Sequence, residues 1–102
     1  MTRAIARKGD REANHCSVPK RQGAFRTVFA NNKRVSGAGH VNTIHLFPPK
    51  VCPAPVKCCV HKKGLRPSQF RVFAERRPVG RVGDRTCTRV VQGSRNVFVG
   101  NA

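Results

Sequence analysis

Acidic residues are scarce in this chain of 102 residues. Only four Asp and Glu stand against 21 Lys and Arg, which gives a formal net charge of +17. Such an excess predicts an acidic partner, because nucleic acid, anionic lipid or lipopolysaccharide, and acidic proteins all attract a polycation; the alternative is a basic surface that is only solvated. Four acids also leave little material for general acid–base catalysis, and no Gly-rich phosphate-binding loop occurs. We therefore expect no enzymatic activity.

Trp, Tyr and long apolar runs are missing as well. Without Trp and Tyr, few side chains can stack on the bases of a single-stranded nucleic acid. No run approaches the roughly 20 apolar residues of a membrane helix, and charges in the segment 1–10 interrupt the apolar stretch that a signal peptide needs. We expect a soluble chain that is not exported through a signal peptide.

A three-residue phrase recurs along the chain, as Val28-Phe29-Ala30, Val72-Phe73-Ala74 and Val97-Phe98-Val99. A glycine stands eleven residues after the first two of these valines, at Gly39 and Gly83. The third copy has no such glycine after it, whereas the N-terminal segment has a turn at Gly9 without a preceding Val-Phe. The two ends complement each other, which predicts a chain that closes around an axis with pseudo-threefold symmetry.

Strand signals dominate the sequence, and helix signals are nearly absent. Segments rich in Val, Ile, Phe and Thr are bounded by Gly, Asn and Pro. They lie at 26–30, 69–74 and 96–99. Each segment ends in a predicted hairpin tip, at Asn31-Asn32, Glu75-Arg76 and Gly100-Asn101. Returning segments follow at 33–39 and 77–83, and 2–9 supplies the third. The predicted fold is all-β, with three hairpins around the axis.

The recurring phrase also predicts the core. Adjacent strand residues face opposite sides, so one member of each Val-Phe pair faces inward. We expect Val28, Val72 and Val97 to pack in the core. The other member is expected under a neighbouring turn or on a face that another protein covers.

Potential metal ligands follow each glycine turn. His15 and His45 lie six residues after Gly9 and Gly39, and Cys87 lies four after Gly83. A threefold body would bring these side chains together, and a structural zinc site needs four nitrogen or sulfur ligands. The best fourth candidate is His61, in the Cys- and Pro-rich insertion 45–64, which is long enough to fold back over an apex. The predicted zinc ligands are His15, His45, His61 and Cys87.

The cysteine count favours metal over a pure disulfide framework. Five cysteines are present, which leaves one thiol over in any disulfide scheme. If Cys87 binds metal, Cys52 can still pair with Cys58 or Cys59 in an oxidising compartment.

Two stretches contain the most specific motifs, Pro78-Val79-Gly80-Arg81-Val82-Gly83-Asp84 and Gly93-Ser94-Arg95-Asn96-Val97-Phe98. Together with Ala4-Ile5-Ala6-Arg7-Lys8-Gly9-Asp10 and His15-Cys16, they resemble the PAAR-repeat proteins, the sharpened tips of contractile phage tail spikes and type VI secretion spikes. The resemblance covers nearly the whole chain, as a single domain of residues 1–102. It is weaker around Gly39, where Arg34, Gly37 and His40 replace the family's Pro, Arg and Asp. This turn is expected to be built differently, and the position of His40 next to Gly39 assigns it to the turn.

The resemblance implies a cone of three β-meanders, with a zinc near the apex held by three His and one Cys. It further implies a non-enzymatic, membrane-piercing tip, one copy of which caps the broad, threefold end of a trimeric β-helical spike. The expected location is the tail baseplate of a virion that is assembled in the host cytoplasm. A phage is favoured over a secretion apparatus because no effector is fused after the last strand signal. The positive charge suits contact with anionic lipid or lipopolysaccharide of the target envelope.

An alternative is a basic, zinc-binding nucleic-acid-binding protein of the ribosomal or zinc-ribbon type, with ligands among Cys52, Cys58, Cys59 and His61. The charge favours this alternative. The spacing of the cysteines is unlike that of zinc ribbons, and the lack of Trp and Tyr also argues against it.

Overall fold

The protein is described from a computed structural model, which defines residues 2–14, 18–44 and 62–100. Its strands are short: β1 (Thr2–Ala4), β2 (Phe29–Ala30), β3 (Lys33–Arg34), β4 (Phe73–Ala74), β5 (Arg77–Pro78) and β6 (Phe98–Gly100). No helix occurs within these ranges, and hence none long and apolar enough to cross a membrane. The all-β prediction is confirmed for the part of the chain that the structure describes.

Two antiparallel hairpins form at the predicted places. Strand β2 pairs with β3, and β4 pairs with β5. Each hairpin has a two-residue tip in left-handed geometry, with φ of 55° and 64° at Asn31 and Asn32, and 46° and 71° at Glu75 and Arg76. Two consecutive positive φ angles are typical of the type I′ turn, whose twist matches that of the flanking strands. Both tips are therefore confirmed, although the strands are shorter than the segments that predicted them.

The third sheet joins the two ends of the chain. Strand β1 pairs antiparallel with β6, with Thr2 opposite Gly100 and Ala4 opposite Phe98. The predicted complementarity of the ends agrees with this pairing. Gly100, expected at a hairpin tip, is instead the last residue of β6, and Asn101 lies outside the described residues.

The segments after β1, β3 and β5 form a closed ring of backbone hydrogen bonds. The Ala6 N–H donates to the Gly80 carbonyl (2.9 Å), the Gly80 N–H to the Ser36 carbonyl (2.8 Å), and the Ser36 N–H to the Ala6 carbonyl (2.9 Å). All three residues are buried. The ring ties the three sheets together through contacts that are distant in sequence.

A glycine turn follows each member of the ring. Gly9, Gly39 and Gly83 have φ of 89°, 79° and 95°, a region that costs residues with a Cβ about 1–2 kcal/mol. Their N–H groups donate to the carbonyls of Arg21, Leu65 and Val90, at 2.7, 3.0 and 2.8 Å. The same turn thus occurs three times with the same backbone bond.

The main apolar core lies between the three sheets, and its members are Ile5, Phe25, Ala30, Val35, Ala74, Val79 and Val99. A second cluster, Ala6, Leu65 and Val90, continues it towards the glycine turns, with Val82 packed against it.

The core prediction for the valines of the recurring phrase is wrong in two of three cases. Val72 and Val97 are exposed, at 42% and 37%, while Val28 is partly buried against the core. The inward residue is the third of each phrase, Ala30, Ala74 or Val99. The first and third residues of the phrase share a face of the strand, but the packed core covers that face fully only at the third residue.

Candidate functional site

Beyond the glycine turns, six short segments pair around a closed ring. Three bridges lie within a pair of segments close in sequence: Arg11↔Lys20, Val41↔Gly64 and Arg85↔Arg89. Three more join one pair to the next: Arg21↔Asn42, Arg66↔Arg85 and Glu12↔Val90. We call this second ring, made of the six paired segments, the upper ring. The loops that close the pairs, at 13–19, 43–63 and 86–88, all leave from it. We call this part of the molecule the loop end.

The predicted zinc ligands all belong to these three loops, but the structure describes only one of them. Cys87 is half-buried in the loop 86–88. His15, His45 and His61 lie outside the described residues, so the convergence of the four ligands stays a prediction. The described ranges contain no group of three His, Cys, Asp or Glu side chains able to hold a metal ion. Cys16, Cys52, Cys58 and Cys59 also lie outside them, and so do their possible disulfides.

A buried polar layer lies directly beneath the loops. Glu12, Asn42 and Thr86, each three residues after a turn glycine, are 1%, 0% and 4% exposed. The Glu12 Oε1 atom accepts hydrogen bonds from Asn42 Nδ2 (2.9 Å) and from Thr86 Oγ1 (2.7 Å). Our reading of the sequence missed this layer, although the equal spacing after Gly9, Gly39 and Gly83 was a signal that could have found it.

A fully buried ion pair completes this layer. Arg21 Nη1 donates to Glu12 Oε2 at 2.7 Å, and both side chains are inaccessible to solvent. Arg21 also donates to Ser36 Oγ at 3.2 Å and to the carbonyl of His40. Burial lowers the pKa of Arg21, while Glu12 acts in the opposite direction. Removing either partner would leave an uncompensated buried charge, so the pair fixes the Gly9 turn against the Gly39 turn.

Cys87 lies next to the polar layer and next to a basic depression. Asn42 Nδ2 is 3.4 Å from the Cys87 Sγ atom. The depression has a volume of about 280 Å³, and its walls are Arg66, Arg85, Thr86, Cys87, Thr88 and Arg89. The side chain of Asn42 therefore links the buried carboxylate of Glu12 to the only predicted zinc ligand that the structure describes.

The three glycine turns share one further hydrogen bond, from a backbone N–H to a side chain three residues later. Arg7 N–H donates to Asp10 Oδ2 (2.8 Å), and Arg81 N–H donates to Asp84 Oδ2 (2.9 Å). In the turn at Gly39, the Gly37 N–H donates to His40 Nδ1 at 2.9 Å. His40 therefore belongs to the turn, as predicted. The expectation that this turn is built differently is wrong for the backbone, since an imidazole nitrogen replaces the carboxylate oxygen as acceptor.

His40 is held in its neutral, accepting form. Burial lowers its pKa most, the nearby Arg77 and Arg21 act in the same direction, and Glu75 opposes them. The ring of Phe25 lies edge-on to the imidazole, with 4.7 Å between the ring centroids. These surroundings disfavour the imidazolium, which could not accept the Gly37 N–H.

The other end of the molecule carries exposed aromatic side chains on the three sheets. Phe29, Phe73 and Phe98 are 56%, 53% and 56% exposed, and each points away from the core at the same place in its strand. Phe29 lines a depression together with Lys8 and Gly9. Phe thus lies on an exposed face in all three Val-Phe pairs, one of the two predicted places for the outer member, but in the second and third pairs the Val is exposed as well, so the prediction of one inward member is wrong there. We call these three side chains the phenylalanine set.

A scan against protein-family models and a search of curated proteins find no match to this chain.

Proposed function

We propose that this protein is a non-enzymatic, zinc-stabilised spike tip of the PAAR type, which caps a trimeric β-helical spike and meets the target envelope first. The observation that carries the proposal is the cyclic hydrogen bonding of Ala6, Gly80 and Ser36, followed in each case by the same glycine turn. One chain that repeats its contacts three times around a ring is suited to close the end of a threefold partner. This pattern supports a pseudo-threefold cone.

The docking face of the tip is proposed at the sheets. Exposed apolar groups of this size mark interaction surfaces, and the three members of the phenylalanine set have nearly equal exposure. Phe70, Val72 and Val97, just before β4 and β6, add further exposed apolar surface. A partner with threefold symmetry offers the same contact three times, which matches this distribution. Docking would also cover the unpaired edges at the end of a β-helical spike.

The zinc site is proposed at the loop end, with His15, His45, His61 and Cys87 as ligands. Its support is that the loops containing all four residues leave from one closed ring. A saturated site of three His and one Cys leaves no open position for an activated water, so the metal has a structural role. Structural zinc supplies roughly 10–16 kcal/mol of apparent binding free energy, a large contribution for a chain with so small an apolar core.

The place of the protein follows from this role. We assign it to the tip of the central spike in the tail baseplate of a phage, with one copy per spike, and a secretion apparatus is the other possible host machine. The loop end would contact the anionic lipid or lipopolysaccharide of the target envelope. The net charge of +17 supports that contact.

Native mass spectrometry tests the proposed metal site. The wild type should carry one zinc ion, and His15→Ala should lose it. The triple variant Cys52→Ser, Cys58→Ser and Cys59→Ser should keep the zinc. His40→Asn is the matched control, because this histidine lies in a turn and its substitution should leave the metal in place.

Native mass spectrometry also tests the docking of the tip on a spike. One chain should bind one trimer of a β-helical spike, and replacing the phenylalanine set by Ser should abolish the complex without releasing zinc. Zinc that survives His15→Ala but disappears with the three loop cysteines would overturn the spike tip. That result would favour the basic, zinc-ribbon-like nucleic-acid-binding protein instead.

A further inference from the structure

Three arginines of the loop end lie side by side on neighbouring backbone segments. Arg85 bridges Arg66 on one side and Arg89 on the other, and the Arg66 N–H donates to the Arg85 carbonyl at 2.8 Å. All three side chains are exposed, and all three line the depression of about 280 Å³ described above. We call these residues the arginine triad.

Like charges placed directly opposite each other on paired strands destabilise a sheet. A purely structural role would therefore favour other residues here, and the corresponding positions around the Gly39 turn show that the fold accepts them. Around the Gly39 turn, Val41 bridges Gly64, and the Gln22 N–H donates to the Val41 carbonyl. None of these three positions carries a charged side chain, whereas around the Gly9 turn two of the three are basic, because Arg11 bridges Lys20. The backbone pairing thus does not require the arginine triad.

None of the four acidic side chains is left to neutralise the triad. The four acidic side chains are hydrogen-bonded elsewhere: Asp10 to Arg7, Glu12 to Arg21, Glu75 to Thr27, and Asp84 to Ser68. Within residues 2–14, 18–44 and 62–100, none of the three guanidinium groups has a hydrogen-bond or ion-pair partner. Three unneutralised guanidinium groups around one small depression form a site that an anion from outside the chain can complete.

The chemistry of the walls indicates which anion fits. Guanidinium groups bind phosphate through paired, charge-assisted hydrogen bonds, and Thr88, which also lines the depression, carries a hydroxyl. A phosphate monoester presents three terminal oxygens and nearly two negative charges, so it can engage several of these donors at once. A phosphodiester offers one charge and two free oxygens.

A lipid is the best carrier of this phosphate. The loop end also carries exposed apolar residues: Ile44, in the loop 43–63, is 57% exposed, and Val18, in the loop 13–19, is 51% exposed. Apolar and basic side chains on one end of a protein suit the boundary between headgroups and acyl chains. We propose that Arg66, Arg85 and Arg89 form a binding site for the phosphomonoester headgroup of an anionic lipid. The site needs no spike, but the choice of a lipid as carrier rests on the proposed envelope contact.

Vesicle binding tests the site with zinc-loaded, full-length protein. Phosphatidylcholine vesicles are prepared with either phosphatidic acid, a phosphate monoester, or phosphatidylglycerol, a diester. The amount of each anionic lipid is chosen so that both kinds of vesicle have the same zeta potential. The wild type should prefer phosphatidic acid. The variant Arg66→Gln, Arg85→Gln and Arg89→Gln should lose that preference and bind about tenfold more weakly or worse, since each arginine near a lipid surface contributes strongly. The charge-matched control is Arg71→Gln, Arg76→Gln and Arg95→Gln, which should keep the preference.

The single variant Arg66→Gln guards against a failure of the triple variant to fold or to retain zinc. Arg66 is the residue of the triad that lies farthest along the chain from Cys87. Its substitution by Gln should weaken phosphatidic acid binding severalfold. Equal losses in the triad and control variants, or no preference of the wild type for phosphatidic acid, would overturn the site. Inorganic phosphate should compete only weakly; binding as strong as that of the vesicles would reassign the site to free phosphate and overturn the lipid.

The test is separable from that of the spike tip. Suppose that phosphatidic acid binding depends on the triad but that His15→Ala loses no zinc. The lipid site would then stand, and the proposed function would be rejected. A normal zinc count and spike complex without any selectivity for phosphatidic acid would do the reverse.

Discussion

At the scale of single residues, the chain repeatedly places a polar side chain where its own backbone needs an acceptor. Asp10, His40 and Asp84 each satisfy the N–H of the residue three positions earlier. A buried N–H without a partner costs about 1–3 kcal/mol, so these three acceptors hold their turns closed. His40 differs from the two aspartates because protonation destroys its ability to accept.

This difference makes the stability of the turn at Gly39 depend on pH. The pKa of His40 is lower in the folded protein than its ordinary value of about 6.5, so just below that pH the unfolded chain binds more protons than the folded one. The free energy of unfolding contributed by His40 is therefore complete above pH about 6.5 and is lost as the pH falls towards the folded-state pKa. Urea unfolding near pH 7.5 and near pH 5.5 measures the loss.

The control for this prediction is His40→Asn, which supplies an acceptor that does not titrate. The other histidines are common to both proteins, so their effects cancel in the comparison. The wild type should lose more stability than His40→Asn between the two pH values. An equal loss would show that another group is responsible.

At the scale of elements, each hairpin depends on a tip that ordinary residues adopt at a cost. Asn tolerates left-handed geometry well, which explains Asn31 and Asn32. The second hairpin instead uses Glu75 and Arg76, with φ of 46° and 71°. Glu75 has a compensating contact, because its carboxylate accepts hydrogen bonds from the backbone N–H and the hydroxyl of Thr27. These bonds lower the pKa of Glu75.

Arg76 is therefore the tip residue at which a substitution should relieve backbone strain. We expect Arg76→Gly to raise the free energy of unfolding by about 1 kcal/mol, because glycine adopts the left-handed region without steric cost. Urea unfolding monitored by circular dichroism measures the change. Arg71→Gly is the matched control, an exposed arginine outside the left-handed region, and it should give no gain. A stabilisation of the same size in both variants would point to the lost charge rather than to the backbone.

At the scale of the whole molecule, the fold is closed by contacts between distant parts of the chain. Strands β1 and β6 join its two ends, and Arg81 donates to the carbonyls of Val99 and Gly100 at 3.4 and 3.2 Å. Val99 is also a member of the main core. Strand β6 thus pairs with β1, packs into the main core and supplies hydrogen-bond acceptors to Arg81.

Removing residues 98–102 should therefore abolish cooperative unfolding. The truncation leaves β1 without its partner, exposes the core at Val99 and removes two acceptors of Arg81, a loss comparable with the 5–15 kcal/mol that stabilises a typical domain. Thermal unfolding followed by circular dichroism gives the result. Phe98→Ser, which changes an outward side chain and keeps the strand, should unfold cooperatively near the wild-type temperature. A cooperative transition in the truncated chain would show that the ring does not need its closing strand.

The sequence by itself determined the features that depend on local geometry. Positive φ angles favour Gly and Asn, so the glycine turns and the tip at Asn31-Asn32 were readable from residue type. The tip at Glu75-Arg76 was readable only from its equivalent place in the repeat, and the scarcity of helix signals predicted the absence of helices in the described residues. The role of His40 was readable for the same reason, since it follows from one position next to a glycine.

Only the tertiary structure decided which surfaces are covered. Alternation placed Val and Phe on opposite faces, but the burial of Ala74 rather than Val72 depends on how the three sheets pack against each other. The layer of Glu12, Asn42 and Thr86, and the convergence of Arg66, Arg85 and Arg89 on one depression, likewise arise from pairing between segments far apart in sequence. Local preferences act on neighbouring residues, whereas burial and the grouping of charges are fixed only when the whole chain closes on itself.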